Sequence, residues 1–111
     1  MKNSVRNFLI SKINGFRDLE ENFDSYNSDK ISNESIETSI KILNELNNVE
    51  ELFVFPMRDG GIQFEISRFS DIEEELIIDK EGNIRIIEYN TTGDLLSNKS
   101  IKLEQIQSFF I

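Results

Sequence analysis

From Val5 to Phe16 the apolar residues recur at helical spacing. Val5, Phe8, Leu9, Ile13 and Phe16 fall on one stripe, which predicts an amphipathic helix with a single buried face, weakened at its end by Gly15. The stretch that follows, "EENFDSYNSDK", is rich in Asn, Asp and Ser, whose side chains bond the local backbone instead of joining a helix. Phe23 and Tyr26 interrupt it and are expected to plug this ordered loop against the core. A second helix is more strongly marked. Ser32 is placed to cap it, Glu34 faces the dipole in the first turn, and Ile31 and Ile36 are spaced as a hydrophobic staple. Ile36, Ile40, Leu43 and Leu46 then form its stripe and Asn47-Asn48 ends it, giving a helix over 33–47.

Beyond this point the period changes from 3.6 to 2. "LFVFP" reads as a strand, and "GIQFEIS" alternates Ile62, Phe64 and Ile66 against Gln63, Glu65 and Ser67. Arg58-Asp59-Gly60-Gly61 lies between them, and Asp-Gly between alternating runs is a strong hairpin signal. "ELIID" and "IRIIEY" make a second pair around Lys80-Glu81-Gly82-Asn83. Residues 90–99 read as turn and loop, and Leu103, Ile106 and Phe110, with Ser100 as cap, predict a short closing helix. The expected fold is one α+β domain over 1–111, in the order α-α-β-β-β-β-α, with helices packed on one face of a four-stranded antiparallel meander.

The two sheet faces differ in character. Phe53, Phe55, Ile62, Phe64, Ile66, Leu76, Ile78, Ile84 and Ile86 are assigned to the helix side. The other side then carries Leu52, Val54, Gln63, Glu65, Glu75, Ile77, Arg85, Ile87 and Tyr89, a mixture too apolar for a fully solvated face. Its cover is either the C-terminal helix or loop 90–99, or else a partner protein or a second copy. Leu52, Val54, Ile77, Arg85, Ile87 and Tyr89 are the candidate contact set, and Arg58 and Asp59 a smaller one at the hairpin tip.

Composition narrows the chemistry. With neither cysteine nor histidine, thiolate nucleophiles, Ser-His and Cys-His catalysis and nearly all zinc sites are excluded. The 21 acidic residues against 12 basic ones, a net charge of −9, disfavour direct binding of a phosphate backbone and suit a basic protein partner. Gly60-Gly61 sits between two strands and not between a strand and a helix, so it is a turn and not a phosphate cradle. Asp71, Glu73, Glu74 and Glu75 form the densest acidic run, yet on a strand only alternate members converge, so a charged strand edge is expected and not a metal site. No cofactor, metal site or catalytic residue is expected. No 18-residue apolar run appears and the basic N-terminal stretch is too interrupted for a signal peptide, so the expected setting is cytoplasmic and off the membrane.

Two segments carry a resemblance. "LEENFDSYNSDKISNESIETSIKIL" and "FPMRDGGIQFEI" with "EELIIDKEGNI" resemble, over residues 19–84, a widespread group of small uncharacterised bacterial proteins. That group has an Asn-Trp-Asp-Ser-Tyr-Gly-like loop and a Pro-x-x-x-Gly-Gly-Ile-Gln-Leu-Glu-Trp-like hairpin. Phe23 stands where that group has tryptophan, Asn27 where it has glycine, Ile66 near its second tryptophan and Glu74 at a usually apolar position. The resemblance implies that the hairpin is a fold signature and, by association with defence or toxin modules, an antitoxin-like or inhibitor role in a bacterium or its phage. The expected function is thus a non-enzymatic module that docks on and restrains a partner protein. A nucleic-acid mimic blocking a DNA- or RNA-binding effector is the second expectation, a small metal-dependent hydrolase the third, and a homodimer through the second sheet face is also open.

Overall fold

In the computed structural model, which describes residues 1–47, 49, 51–67 and 71–110, helices and a five-stranded antiparallel sheet enclose one hydrophobic core. Helix α1 spans Asn3–Gly15 and α2 spans Asn33–Glu45; then come β1 (Glu51–Pro56), β2 (Ile62–Ser67), β3 (Ile72–Ile78), β4 (Ile84–Asn90), β5 (Leu95–Ile101) and a short α3 (Ile106–Phe109) entered by a 3-10 turn. The strands lie in sequence order, a plain meander.

Helix α2 forms as its signals require. The Ser32 hydroxyl accepts from the Ser35 N–H at 3.1 Å and donates to the Lys80 carbonyl at 2.7 Å, so one side chain caps α2 and ties it to the β3–β4 turn. Ile31 and Ile36 are both buried, closing the staple. The helix has no basic residue in its own last turn; Arg6 of α1 takes that place, donating to the carbonyls of Leu43 at 3.0 Å and Leu46 at 2.8 Å. The helix stops at Glu45, before the expected Asn47; Asn48 lies outside the described residues. Helix α1 buries a narrower stripe than its spacing suggested: Leu9 and Ile13 are inside, with Phe16 just beyond its end, while Val5 and Phe8 are exposed.

The β1–β2, β3–β4 and β4–β5 hairpins use one turn. Met57, Asp79 and Asn90 each donate their N–H to the carbonyl four residues on, and accept from Gly60, Gly82 and Gly93 in turn, each glycine at positive φ. This is the three-residue loop with a left-handed glycine that completes a bulge. Its length decides the register. A two-residue turn at Asp59-Gly60 would pair Phe55 with Phe64; closure at Met57 and Gly61 instead pairs Val54 with Phe64 and Leu52 with Ile66. Leu52 and Val54 are therefore in the core, and Phe53 and Phe55 are on the opposite face, the reverse of the sequence assignment.

Two further corrections concern the C-terminal third. Residues 95–99, expected as loop, belong to a fifth strand with Ser100 inside it, and the closing helix begins after Lys102. That helix buries Ile106 and Phe110 on the helix side, so it does not cover the second face. The acidic run also sits differently. Strand β3 is central in the sheet and not an edge, and Glu74 is buried on its helix-side face opposite Ile66 and Glu88.

Candidate functional site

The outer face of the sheet is built from three cross-strand rows. One runs Phe53, Glu65, Glu75, Ile87, Asn98; the next runs Phe55, Gln63, Ile77, Arg85, Ser100; the third adds Ser67, Glu73, Tyr89 and Leu95. Lys12 of α1 reaches the margin of this face, its Nζ 5.6 Å over the Phe55 ring, yet Phe53 keeps 47% of its surface exposed and Phe55 40%. Large aromatics are seldom left this open on a sheet that has a core side available, which makes the face the leading candidate for contact.

Its charges are unevenly placed. Glu65 and Glu75 stand directly opposite one another, an arrangement that costs stability in any antiparallel pair. Partial burial, and then the Glu65 charge, push the Glu75 carboxyl above the usual carboxylate range. Around them is an open notch of about 220 Å³, walled by Phe53 and Tyr89 and floored by Glu65, Glu73 and Glu75. Such a notch offers aromatic faces together with carboxylates that no described residue neutralises, the two features that receive an arginine or lysine side chain. Arg85 is the cation of these rows, and its guanidinium donates to Asn98 at 2.8 Å. No group of three or more acidic residues among those described is arranged to hold a metal ion.

Of the expected contact residues, Ile77, Arg85, Ile87 and Tyr89 lie on this face, three half-buried and Arg85 exposed. Leu52 and Val54 do not; they are core residues, and Phe53 and Phe55 take their place. Leu95 and Leu96, 59% and 53% exposed, extend the apolar surface beside Tyr89 where a bulge interrupts the β4–β5 pairing. The three-residue loop before Gly61 was the signal that would have found the phenylalanines.

The hairpin tip is occupied by its own fold. Arg58 pairs with Asp24 at 3.1 Å and lies 5.0 Å over the Tyr26 ring, while its carbonyl accepts from Asp29 and that of Gly60 accepts from Ser32. Partial burial would raise the Asp24 carboxyl, but hydrogen bonds from Tyr26, Arg58 and Ser28 and the Arg58 charge outweigh it and hold the group below its ordinary value. Asp59 bends back to accept from Gly61. Phe23 packs against the core from this loop as expected, but Tyr26 is 68% exposed and acts through Arg58, not as a plug. The two segments that carry the resemblance thus meet here, held together by Arg58 and the Gly60 carbonyl, while Asp59 braces the turn itself.

A larger groove of about 720 Å³ lies at the other end of the sheet, bounded by α2, the β3–β4 turn and residues 102–105. It mixes Lys41 and Lys102 with Asp79, whose Oδ1 already accepts from Glu81 and Asn83. Nothing in that set pairs a nucleophile with a base. None of the described helices is long and apolar enough to cross a membrane. No protein-family description, curated protein or solved structure matches this chain.

Proposed function

We propose that the protein is a non-enzymatic binding module that docks on a partner protein through the outer face of its sheet and restrains it, as an antitoxin or inhibitor does. The observation that carries this reading is the pair of half-exposed phenylalanines, Phe53 and Phe55, on the sheet face opposite the packed core. Ile77, Ile87 and Tyr89 complete the apolar centre, and Glu65, Glu73 and Glu75 favour a partner that presents a cationic side chain to the notch. The net charge of −9 steers encounter with such a partner over a longer range.

The test is capture by the tagged protein from its host at low and high salt, run beside an Ile87→Glu variant. One partner that the parent protein retains at high salt and the variant loses, with unchanged circular dichroism, is the expected result. Equal capture by both would remove the outer face from the account. The opposed Glu65 and Glu75 carboxylates also favour a second reading, the nucleic-acid mimic. That reading expects salt-labile capture of a nucleic-acid-binding protein and competition by DNA.

A further inference from the structure

The strand order leaves β1 and β5 as the two edges of the sheet. Exposed edges present unpaired backbone groups, and proteins blunt them with proline, charge or cover. Strand β1 is blunted in this way: it starts at Glu51 and ends at Pro56, which has no N–H to offer. Strand β5 is less protected: the irregularity in its pairing with β4 lies at its start, and 97–101 keep a regular register. Its sequence Leu95-Leu96-Ser97-Asn98-Lys99-Ser100-Ile101 holds no proline and no acid. Its one charge, Lys99, folds back so that Nζ lies 5.2 Å over the Phe109 ring, away from the edge.

We infer that two copies of the chain pair through β5, antiparallel about a two-fold axis at Asn98, and join their sheets into one. The charge pattern selects a second copy as occupant. The chain has net charge −9, but 95–101 carries one positive charge and no negative one, so pairing there sets no carboxylates of the two strands against each other. Asp94 and Lys102 flank Asn98 at four residues on either side, so the antiparallel pairing brings Asp94 of each copy to the end occupied by Lys102 of the other. Two complementary contacts result from one symmetry operation. The same pairing draws exposed Leu95 and Leu96 toward the second copy. The outer face offers no such match to itself, since Glu65, Glu73 and Glu75 there outnumber Arg85. Edge pairing leaves that face free and makes it continuous across the dimer, so this inference does not depend on the proposed function.

The chain has no cysteine, so single thiols report the axis directly. Residues opposed across an antiparallel pair have Cα atoms about 4.5–5.5 Å apart, within disulfide reach. Mild oxidation of Asn98→Cys is expected to give a covalent dimer, and that of Phe53→Cys to leave monomer. Sedimentation equilibrium of the unmodified chain should show a mass rising from 12.9 kDa toward twice that value with concentration. Lys102→Asp should return it to monomer, and the double variant Asp94→Lys with Lys102→Asp should restore the dimer. A monomer at every concentration up to about 1 mM overturns the inference. So does a faster cross-link at position 53 than at 98, or a folded double variant that stays monomeric.

Discussion

Ser39 is fully buried in α2, and its hydroxyl has no hydrogen-bond partner among the described residues. A buried hydroxyl loses its water without compensation, and serine is also a poorer helix former than alanine. Ser39→Ala should therefore stabilise the fold by about 1 kcal/mol, read as a higher urea midpoint with unchanged slope. The same substitution chemistry has the opposite sign at Gly61. A Cβ there would stand 2.3 Å from the Ile78 carbonyl oxygen, backbone that cannot move without separating the β1–β2 turn from β3. Gly61→Ala should cost about 3 kcal/mol or more, measured in the same titration. Glu75 carries a pH signature. Its carboxyl is raised by burial and by Glu65, so the folded chain binds that proton more tightly than the unfolded chain does. Ionised Glu75 thus lowers stability above its unfolded pKa, and the loss disappears as pH falls below that value. Glu75→Gln should gain a few tenths of a kcal/mol at pH 7, after allowing for its exposure to solvent, and about nothing near pH 4. A gain that grew toward acid would contradict the assignment.

At the scale of elements, α2 depends on a cap that does two jobs. Because Ser32 both receives the Ser35 N–H and donates to Lys80, Ser32→Ala removes a helix cap and a clasp on the β3–β4 turn together. The expected cost is about 1–2 kcal/mol, with Ser32→Thr recovering part of it in thermal melts. This cap was legible in the sequence because local chemistry determines it: hydroxyl, acidic first turn and staple all lie within six residues. The face of β1 was not legible by alternation, since Leu52, Phe53, Val54 and Phe55 are apolar on both sides. Only the loop length resolves it, one residue more or less exchanging the faces. Ile77, Ile87 and Tyr89 escaped that ambiguity because "IEEELII" and "IRIIEYN" are anchored by core residues Leu76, Ile78, Ile84 and Ile86. Strand β5 lacks apolar alternation altogether, with Ile101 its buried residue. Its signal lay one turn earlier, where Asn90-Thr91-Thr92-Gly93-Asp94 repeats the spacing of Asp79-Lys80-Glu81-Gly82-Asn83. In both, the first side chain accepts from the N–H groups two and four residues on.

For the whole molecule, the two sheet faces divide stability from binding. The helix-side face carries the packed core, so truncating Phe64 or Leu76 would lower stability and everything that depends on it. The outer face contributes little to that core, and Phe53 in particular stands opposite Glu65 with about half its surface already in water. Phe53→Lys replaces an exposed ring with a cation that faces a carboxylate across the strands, and it relieves the Glu65–Glu75 opposition. Its effect on unfolding should stay within about 0.5 kcal/mol and tend toward stabilisation at low salt. On a captured partner the effect should be large. The ring walls the notch, and a lysine there fills it with the charge the partner was to supply, so affinity should fall by about 30-fold or more, the scale of a lost interface anchor. Calorimetric titration beside thermal melts separates the outcomes: weakened binding with intact stability places the partner on the outer face, whereas intact binding would move the contact to some other surface of the molecule.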